Sequence, residues 1–480
     1  MFLTAVNPSR SREATPDSVV FPQRIHLLGV AGSGMQSLAR VLCERGHHVT
    51  GSDADTRELP FLAERGISVS DDRLADAIPT AAQLLIASDA VPCDAAQLQK
   101  ARRLGIPQRS YASALGALMN DRIGLAVAGT HGKSTTTAMV AAILDAARFD
   151  ATVVVGASGL DGTPVARDGR GQHFLTEACE FRSNFLHLAP QHAAVLNVEP
   201  DHFDCFSTDD KLDRAFGQFM CRVPSHGQLI VNGHCARTMR LACGLACPVI
   251  TFGPSAADDW RAAGIRLRSG CADFELVHVR RSLGRVCLQV PGHHQIDNAL
   301  AAAALASSAG ADDGAIVKGL EAFRGLKRRL QELGEFAGVQ IIDDYAHHPT
   351  EVAVVLSTVR QMFRGRRLWC VFQPHQASRL TRLFEGFATS LSGVDKLAVA
   401  DVFRAREGDC TPGEPAARDL ARAVASTGTD VLQVHALNDI LEQVHAALRP
   451  GDVVLTLGAG DVGTVAHALI DRLRAHCAAG

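Results

Sequence analysis

The chain has 480 residues, 47% of them hydrophobic and 21% charged, which suffices for about three domains at roughly 150 residues each. With 48 Lys and Arg against 51 Asp and Glu the formal charge is −3, which excludes a broadly basic nucleic-acid binder and an acidic disordered chain. Thirteen scattered cysteines without a CxxC pair, no apolar run of the roughly 20 residues that cross a bilayer, and no secretory leader in MFLTAVNPSRSREATPDSVVFPQ predict a cytoplasmic protein with free thiols and no membrane insertion.

Residues 1–22 read as a loose tail. The first ordered unit, predicted over 23–118, opens with RIHLLGV at 24–30, an apolar run expected to form a buried strand. Gly29, Gly32 and Gly34 follow, and MQSLARVLCERG at 35–46 has helical periodicity and stops at a glycine. HVTGSD at 48–53 supplies the next strand, and the alternation continues through LLIASDA and ARRLG. Strand, glycine turn, helix, strand begins a parallel α/β unit. The GxxGxG spacing, with Asp53 about 20 residues on, is close to a dinucleotide fingerprint, but Ala31 stands where the second glycine would fall. Such a loop can hold any pyrophosphate, including that of a nucleotide sugar.

The second unit, predicted over 119–332, carries the strongest local signal. Gly129-Thr130-His131-Gly132-Lys133-Ser134-Thr135 joins a strand to an apolar helix, one residue shorter than GxxxxGK[ST]. Glycines let backbone N–H groups turn toward phosphate oxygens, the lysine reaches the β/γ-phosphates, and the serine hydroxyl suits Mg²⁺. Further strands are expected at 151–157, 173–179, 192–198 and between 271 and 291, and a helix at 293–310. Glu177 and His202 project from two strand ends beside the phosphate loop, where a carboxylate suits Mg²⁺ and a histidine suits a second cation or an orienting role.

The third unit, over 333–480, repeats strand, polar loop and helix at 338–363, with more strands at 368–375, 396–403 and 452–460. Their tips carry polar residues or glycines, where open α/β sheets bind ligands. Positive charge gathers at Lys327-Arg328-Arg329, where the chain passes from the second unit to the third. His375 and Arg379 follow one strand; Asp343, Asp344, His347 and His348 follow another. The adjacent histidines have no third ligand at a spacing suited to zinc.

AGTHGKST, EACE, NVEPDHFD, PGHHQIDNALAA, GLKRRL, DDYAHHPTE, VFQPHQASR and TLGAGDVG occur here in the order found in the Mur ligases. The chain resembles that family from residue 24 to about 470, most closely its alanine-adding branch. The resemblance implies a three-domain α/β architecture: an N-terminal Rossmann-like UDP-sugar domain, a central P-loop ATPase domain, and a C-terminal Rossmann-like domain that closes on the site. It implies ATP-dependent joining of L-alanine to the lactyl carboxylate of UDP-N-acetylmuramate through an acyl-phosphate, with ATP and Mg²⁺, in a monomer or homodimer. A branch that attaches a preformed tripeptide, and a non-catalytic ATP-binding scaffold, are the alternatives.

By the family's pattern Gly29, Gly32, Ser33, Gly34, Ser52, Asp53 and Ser88 belong to the UDP-sugar site. The loop from Gly129 to Thr135, with His294, Gln295 and Asn298, belongs to ATP, and Ser134, Glu177 and His202 to metal. Lys133, Glu177, His202 and Arg328 or Arg329 match the catalytic set. Asp343 or Asp344 matches a nucleotide contact, and His347, His348, His375 and Arg379 match positions lining the sugar-acid or alanine site. Five positions depart from the pattern: Ala31 in the first glycine loop, Asp89 in the Ser88-Asp89 pair where the family has two serines, Tyr111 for the arginine of RAEML, Cys179 for the aspartate of EADES, and Gln295 for the asparagine of GxHN.

Overall fold

Ile25, Leu27 and Leu28 are buried on both faces of the first strand, as a parallel strand covered by helices requires. The computed structural model describes residues 21–55, 62, 67–71, 78–268, 270–405, 407 and 415–479, so residues 1–20 of the predicted tail lie outside the described residues. The first sheet has five parallel strands, β1 (Arg24–Leu28), β2 (His48–Asp53), β3 (Ser68–Asp71), β4 (Leu84–Ala87) and β5 (Gln108–Ser110), in the order β3-β2-β1-β4-β5. Helix α1 (Ser33–Glu44) lays Met35, Leu38, Val41 and Leu42 into its core. Helix α2 (Tyr111–Met119) begins where the Ser110 hydroxyl accepts from the Ser113 N–H.

The central sheet has nine strands: β6 (Ile123–Ala128), β7 (Thr152–Val154), β8 (His173–Ala178), β9 (His192–Val195), β10 (Gln228–Asn232), β11 (Val249–Phe252), β12 (Trp260–Arg268), β13 (Cys271–His278) and β14 (Arg281–Pro291). Their order is β14-β13-β12-β11-β10-β9-β6-β8-β7, parallel from β7 to β12, with β13 and β14 added antiparallel. Ala128 pairs with Ala178 on one side and Val195 on the other, so the ends of β6, β8 and β9 reach one edge together. Helix α3 (Lys133–Ala146) leaves that edge, and α4 (His294–Ser308), whose alanines 299 and 301–304 are buried, packs against it.

The third sheet has six strands, β15 (Gln331–Phe336), β16 (Val339–Asp344), β17 (Leu368–Phe372), β18 (Lys396–Val399), β19 (Asp430–Val431) and β20 (Val453–Leu457), ordered β15-β16-β20-β17-β18-β19. Only β15 runs antiparallel. Helices α5 (Pro349–Met362) and α6 (Ala377–Arg382) follow β16 and β17. Strands β10, β11, β12 and β15 carry no prediction from the sequence. QELGEF of β15 is polar because it is an edge, and the end of β12 runs exposed from Ile265 to Arg268.

The first two domains are tied by hydrogen bonds from Ser37 Oγ to Val155 O (2.7 Å) and from Asn184 Nδ2 to Asp89 Oδ2 (2.7 Å), and by the Arg45–Asp168 ion pair (2.7 Å). Among the described residues no helix is long and apolar enough to cross a membrane.

Candidate active site

Gly129 (φ +141°) and Gly132 (φ +81°) give the phosphate loop its shape. A Cβ at Gly132 would lie 2.6 Å from Asn298 Oδ1, so the residue must be glycine for both its backbone and its neighbour. The loop is stitched to the segment after β9. His131 N donates to Asn197 Oδ1 (2.8 Å), Asn197 Nδ2 donates to His131 O (3.2 Å), and the Thr130 hydroxyl accepts from Glu199 N (2.9 Å).

Lys133 Nζ donates to the carbonyls of Gly129 and Thr130 and lies 3.1 Å from Glu180 Oε2. Burial opposes its charge, and Glu180 more than offsets that, holding the ammonium above the usual lysine range. Glu180 is buried too; Lys133 and His202 overcome the burial and hold its carboxyl below the usual range. Ser134 Oγ donates to Glu177 Oε2 (3.1 Å), and burial pushes the Glu177 carboxyl up against the pull of Lys133 and Arg329. Hydroxyl and carboxylate oxygens adjoining at the end of a phosphate loop are a hard donor set that fits Mg²⁺. His202 sits at φ +50°, with Nε2 3.5 Å from Glu180 Oε1 and a buried Nδ1 that has no hydrogen-bond partner among the described residues. That strain and that orphaned nitrogen fit a group held ready for a ligand.

Across from the loop, a cleft between the central and C-terminal domains is lined by His131, Asn197, Asn298, Arg329, Asp344 and Glu351, among others. The two arginines of the linker separate in role. Arg328 donates to Asp343 Oδ2 (3.2 Å) and to the carbonyls of Gly458 (2.7 Å) and Gly460 (3.2 Å), so it anchors the linker. Arg329, like Arg328, lies over the Tyr345 ring (5.0 and 5.1 Å), but its guanidinium has no hydrogen-bond partner among the described residues and lines the cleft. The aspartates divide the same way. Asp343 accepts from Thr456 Oγ1 (2.6 Å) and pairs with Arg328, whereas Asp344 lines the cleft, its carboxyl pushed by burial to about 6. His294 is half-buried, and desolvation of its ring lowers its pKa to about 4; Gln295 bridges His294 Nε2 (3.0 Å) and Asn298 Nδ2 (2.9 Å).

Thr135 also lines the cleft. So do Asn232 and Phe252, which sequence reasoning missed because β10 and β11 carried no prediction and so offered no strand tip; Glu351 stood inside the quoted DDYAHHPTE and was passed over. Glu351 accepts from His131 Nδ1 (3.1 Å), and Glu199 lies 3.4 Å from His131 Nε2. The third partner that spacing around the histidine pair did not reveal comes from the phosphate loop: His131, Glu199 and His348 each offer a ligand atom within 4.8 Å of the others. Burial works against charge on His131, but the two carboxylates raise its pKa to about 9, so this cluster is an ion-paired contact between domains.

Arg379 is 1% exposed and grips Asp201 with two bonds (2.8 and 3.1 Å) while Nη1 reaches His375 Nδ1 (2.9 Å) and O (3.0 Å). His347 stacks edge-on to His375, and burial lowers it to about 4. His348 caps α5, accepting from Thr350 N (3.3 Å).

In the first domain Gly29 (φ +80°) donates to Ser52 O (2.8 Å), and a Cβ there would meet Ser88 at 2.8 Å. Asp53 Oδ2 accepts from Ala31 N (2.7 Å), so it shapes the turn. Ser52 is wholly buried on His26 (3.0 Å) and supports the loop from behind. Gly32 caps α1 without a side-chain acceptor, and a Cβ at Gly156 would lie 2.8 Å from Ser33 Oγ and 3.2 Å from Gly34 N. The Gly156 backbone also favours the ionised form of Glu177. One glycine thus separates the first-domain loop from the carboxylate at the phosphate loop.

Residues 24–123, 127–306 and 328–460 match, in turn, the family models described as Mur ligase family, catalytic domain; Mur ligase middle domain; and Mur ligase, glutamate ligase domain. The chain belongs to the Mur ligase family. As a Mur ligase it is similar to the UDP-N-acetylmuramate–L-alanine ligase of Caldanaerobacter subterraneus, 36% identical over 454 residues, covering 94% of this chain and 97% of that one. The ligase of the same name from Methylococcus capsulatus is 37% identical over 461 residues, covering 94% and 96%. The Mur ligase fold is shared with the UDP-N-acetylmuramate–alanine ligase of Thermotoga maritima (TM-score 0.80, 24% identity, 94% of this chain and 99% of that one). It is shared too with a murein peptide ligase of Psychrobacter arcticus (TM-score 0.72, 24% identity, 94% and 99%).

Proposed function

We propose that this Mur ligase joins L-alanine to the lactyl carboxylate of UDP-N-acetylmuramate, converting ATP to ADP and phosphate. The observation that carries the reading is Gly156, which brings the first-domain glycine loop and the Glu177–Ser134 pair to a common wall. A nucleotide sugar on one loop and a triphosphate on the other would meet there. Relatives of that name at 36% and 37% identity over nearly the whole chain support alanine as the second substrate.

The carboxylate oxygen attacks the γ-phosphorus in line, the bond to the bridging oxygen breaks, and ADP leaves with the electron pair. The loop N–H groups and Lys133 would stabilise the charge that spreads over the phosphoryl oxygens, with Lys133 exchanging its carbonyl partners for phosphate. Arg329, whose guanidinium makes no hydrogen bond among the described residues, would approach the same oxygens. Ser134 and Glu177 would hold Mg²⁺, which when bound neutralises phosphate charge. The neutral amine of L-alanine then attacks the acyl carbon, loses a proton, and expels phosphate to leave an amide. The cleft walls from the C-terminal domain would keep water from the acyl-phosphate.

The test is phosphate release from ATP with UDP-N-acetylmuramate, comparing no amino acid, L-alanine and the wall tripeptide. Stimulation by L-alanine with the mass of UDP-N-acetylmuramoyl-L-alanine is the expected result. Stimulation by the tripeptide alone would transfer the chain to the peptide-adding branch, and release in none of the three would leave an ATP-binding scaffold.

A further inference from the structure

Tyr111, where the family pattern has an arginine, opens α2 at the seam of the first two domains. Its ring end rests directly on the backbone of α1: a Cβ on Gly34 would lie 2.9 Å from the Tyr111 hydroxyl and 3.1 Å from the carbon that bears it. Gly34 therefore permits the contact, and the hydroxyl is delivered beside the first turn of α1. Nothing among the described residues hydrogen-bonds to that hydroxyl, although the ring packs against the core around it. A half-buried hydroxyl that no protein group engages is free to donate to a ligand. The adjoining helix end is equally open, because Gly32 caps it with no side-chain acceptor and its first N–H groups carry the positive end of the helix dipole.

We propose that Tyr111 is a substrate-binding residue of this chain, its hydroxyl donating a hydrogen bond to a pyrophosphate oxygen of the nucleotide sugar seated on the first turn of α1. The inference rests on the reading that this loop takes a nucleotide sugar, and adds a specific donor to it. A neutral phenol in this place contributes a donor without a fixed charge. Burial first, and then the carboxylates of Glu177 and Asp89, hold the phenol above the usual tyrosine range, so it keeps the proton that the contact needs.

The test is equilibrium binding of UDP, UDP-N-acetylmuramate and ATP, by titration calorimetry, to the full chain and to Tyr111→Phe. Phenylalanine keeps the ring on Gly34 and removes only the donor. UDP and UDP-N-acetylmuramate are each expected to bind roughly tenfold more weakly to the variant, the size of one hydrogen bond to a charged oxygen. ATP affinity and thermal midpoint should be unchanged. Equal affinity of both proteins for UDP overturns the proposal, and weakening confined to UDP-N-acetylmuramate overturns it too, by moving the contact to the sugar acid. If the unaltered chain binds UDP and not UDP-N-acetylmuramate, the substrate reading fails while the UDP comparison still decides the role of Tyr111.

Discussion

Lys133 directs its N–H donors at two carbonyls of its own loop and at Glu180, an arrangement that compensates a buried charge until phosphate arrives. Lys133→Ala is expected to lower kcat by about 10³-fold, as loss of a donor aimed at transition-state charge does, while leaving UDP-N-acetylmuramate affinity intact. Steady-state kinetics beside direct titration would check the split. The adjacent arginines should respond in opposite ways. Arg329→Ala is expected to cost about 10²-fold in kcat with little change in thermal midpoint, since its guanidinium lies over a ring and makes no hydrogen bond among the described residues. Arg328→Ala releases two backbone carbonyls and Asp343, so it should lower stability by about 2–3 kcal/mol, read by denaturant titration. In sequence the two are neighbours in KRRL and nothing in their type separates them. The distinction depends on which guanidinium meets Gly458 and Gly460, more than a hundred residues on.

At the scale of the element, the phosphate loop was legible because its chemistry is local: glycines for backbone turns, a lysine, a hydroxyl, then a helix. The paired strands β6, β8 and β9 followed from apolar runs, and with them Glu177 and His202 at the edge. The tips of β10 and β11 that line the cleft were not legible, since QLIVN and VITF are short runs that do not stand out from helix or loop, and Asn232 and Phe252 went with them. Gly132→Ala should place a Cβ against Asn298 and impose a left-handed backbone, weakening ATP binding by about tenfold or more while the fold persists. The same loop holds a pH-dependent contact. The pKa of His131 is raised to about 9, so the stability of its pairs with Glu351 and Glu199 is fully present below about 6.5 and is lost as pH rises through about 9. Thermal midpoints measured from pH 6 to pH 10 should fall across that window, and His131→Gln should flatten the fall.

For the whole molecule, three sheets in one chain were foreseeable from three sets of alternating strands and helices, and the family resemblance set their order of use. How they meet was not, because the contacts join residues far apart in the chain: Ser37 to Val155, and Asp201 to Arg379. Arg379 and Asp201 are buried at the boundary of the central and C-terminal domains, and removing one charge leaves the other uncompensated. Asp201→Asn is expected to destabilise closure by about 3 kcal/mol. Small-angle scattering should then show a larger radius of gyration, and amide formation per ATP consumed should fall as water reaches the acyl-phosphate.

The segment from Asn197 to His202 bears on more than closure. Asn197 holds the phosphate loop, Glu199 meets Thr350 of the C-terminal domain (2.6 Å), Pro200 O accepts from His348, Asp201 holds Arg379, and His202 adjoins Glu180. Six consecutive residues thus serve as latch and as part of the reaction centre. The protein is interlocked: the C-terminal domain cannot swing away without pulling on the histidine and the loop that would activate ATP. An open molecule would therefore be a disarmed one, its triphosphate spared idle hydrolysis until the C-terminal domain returns.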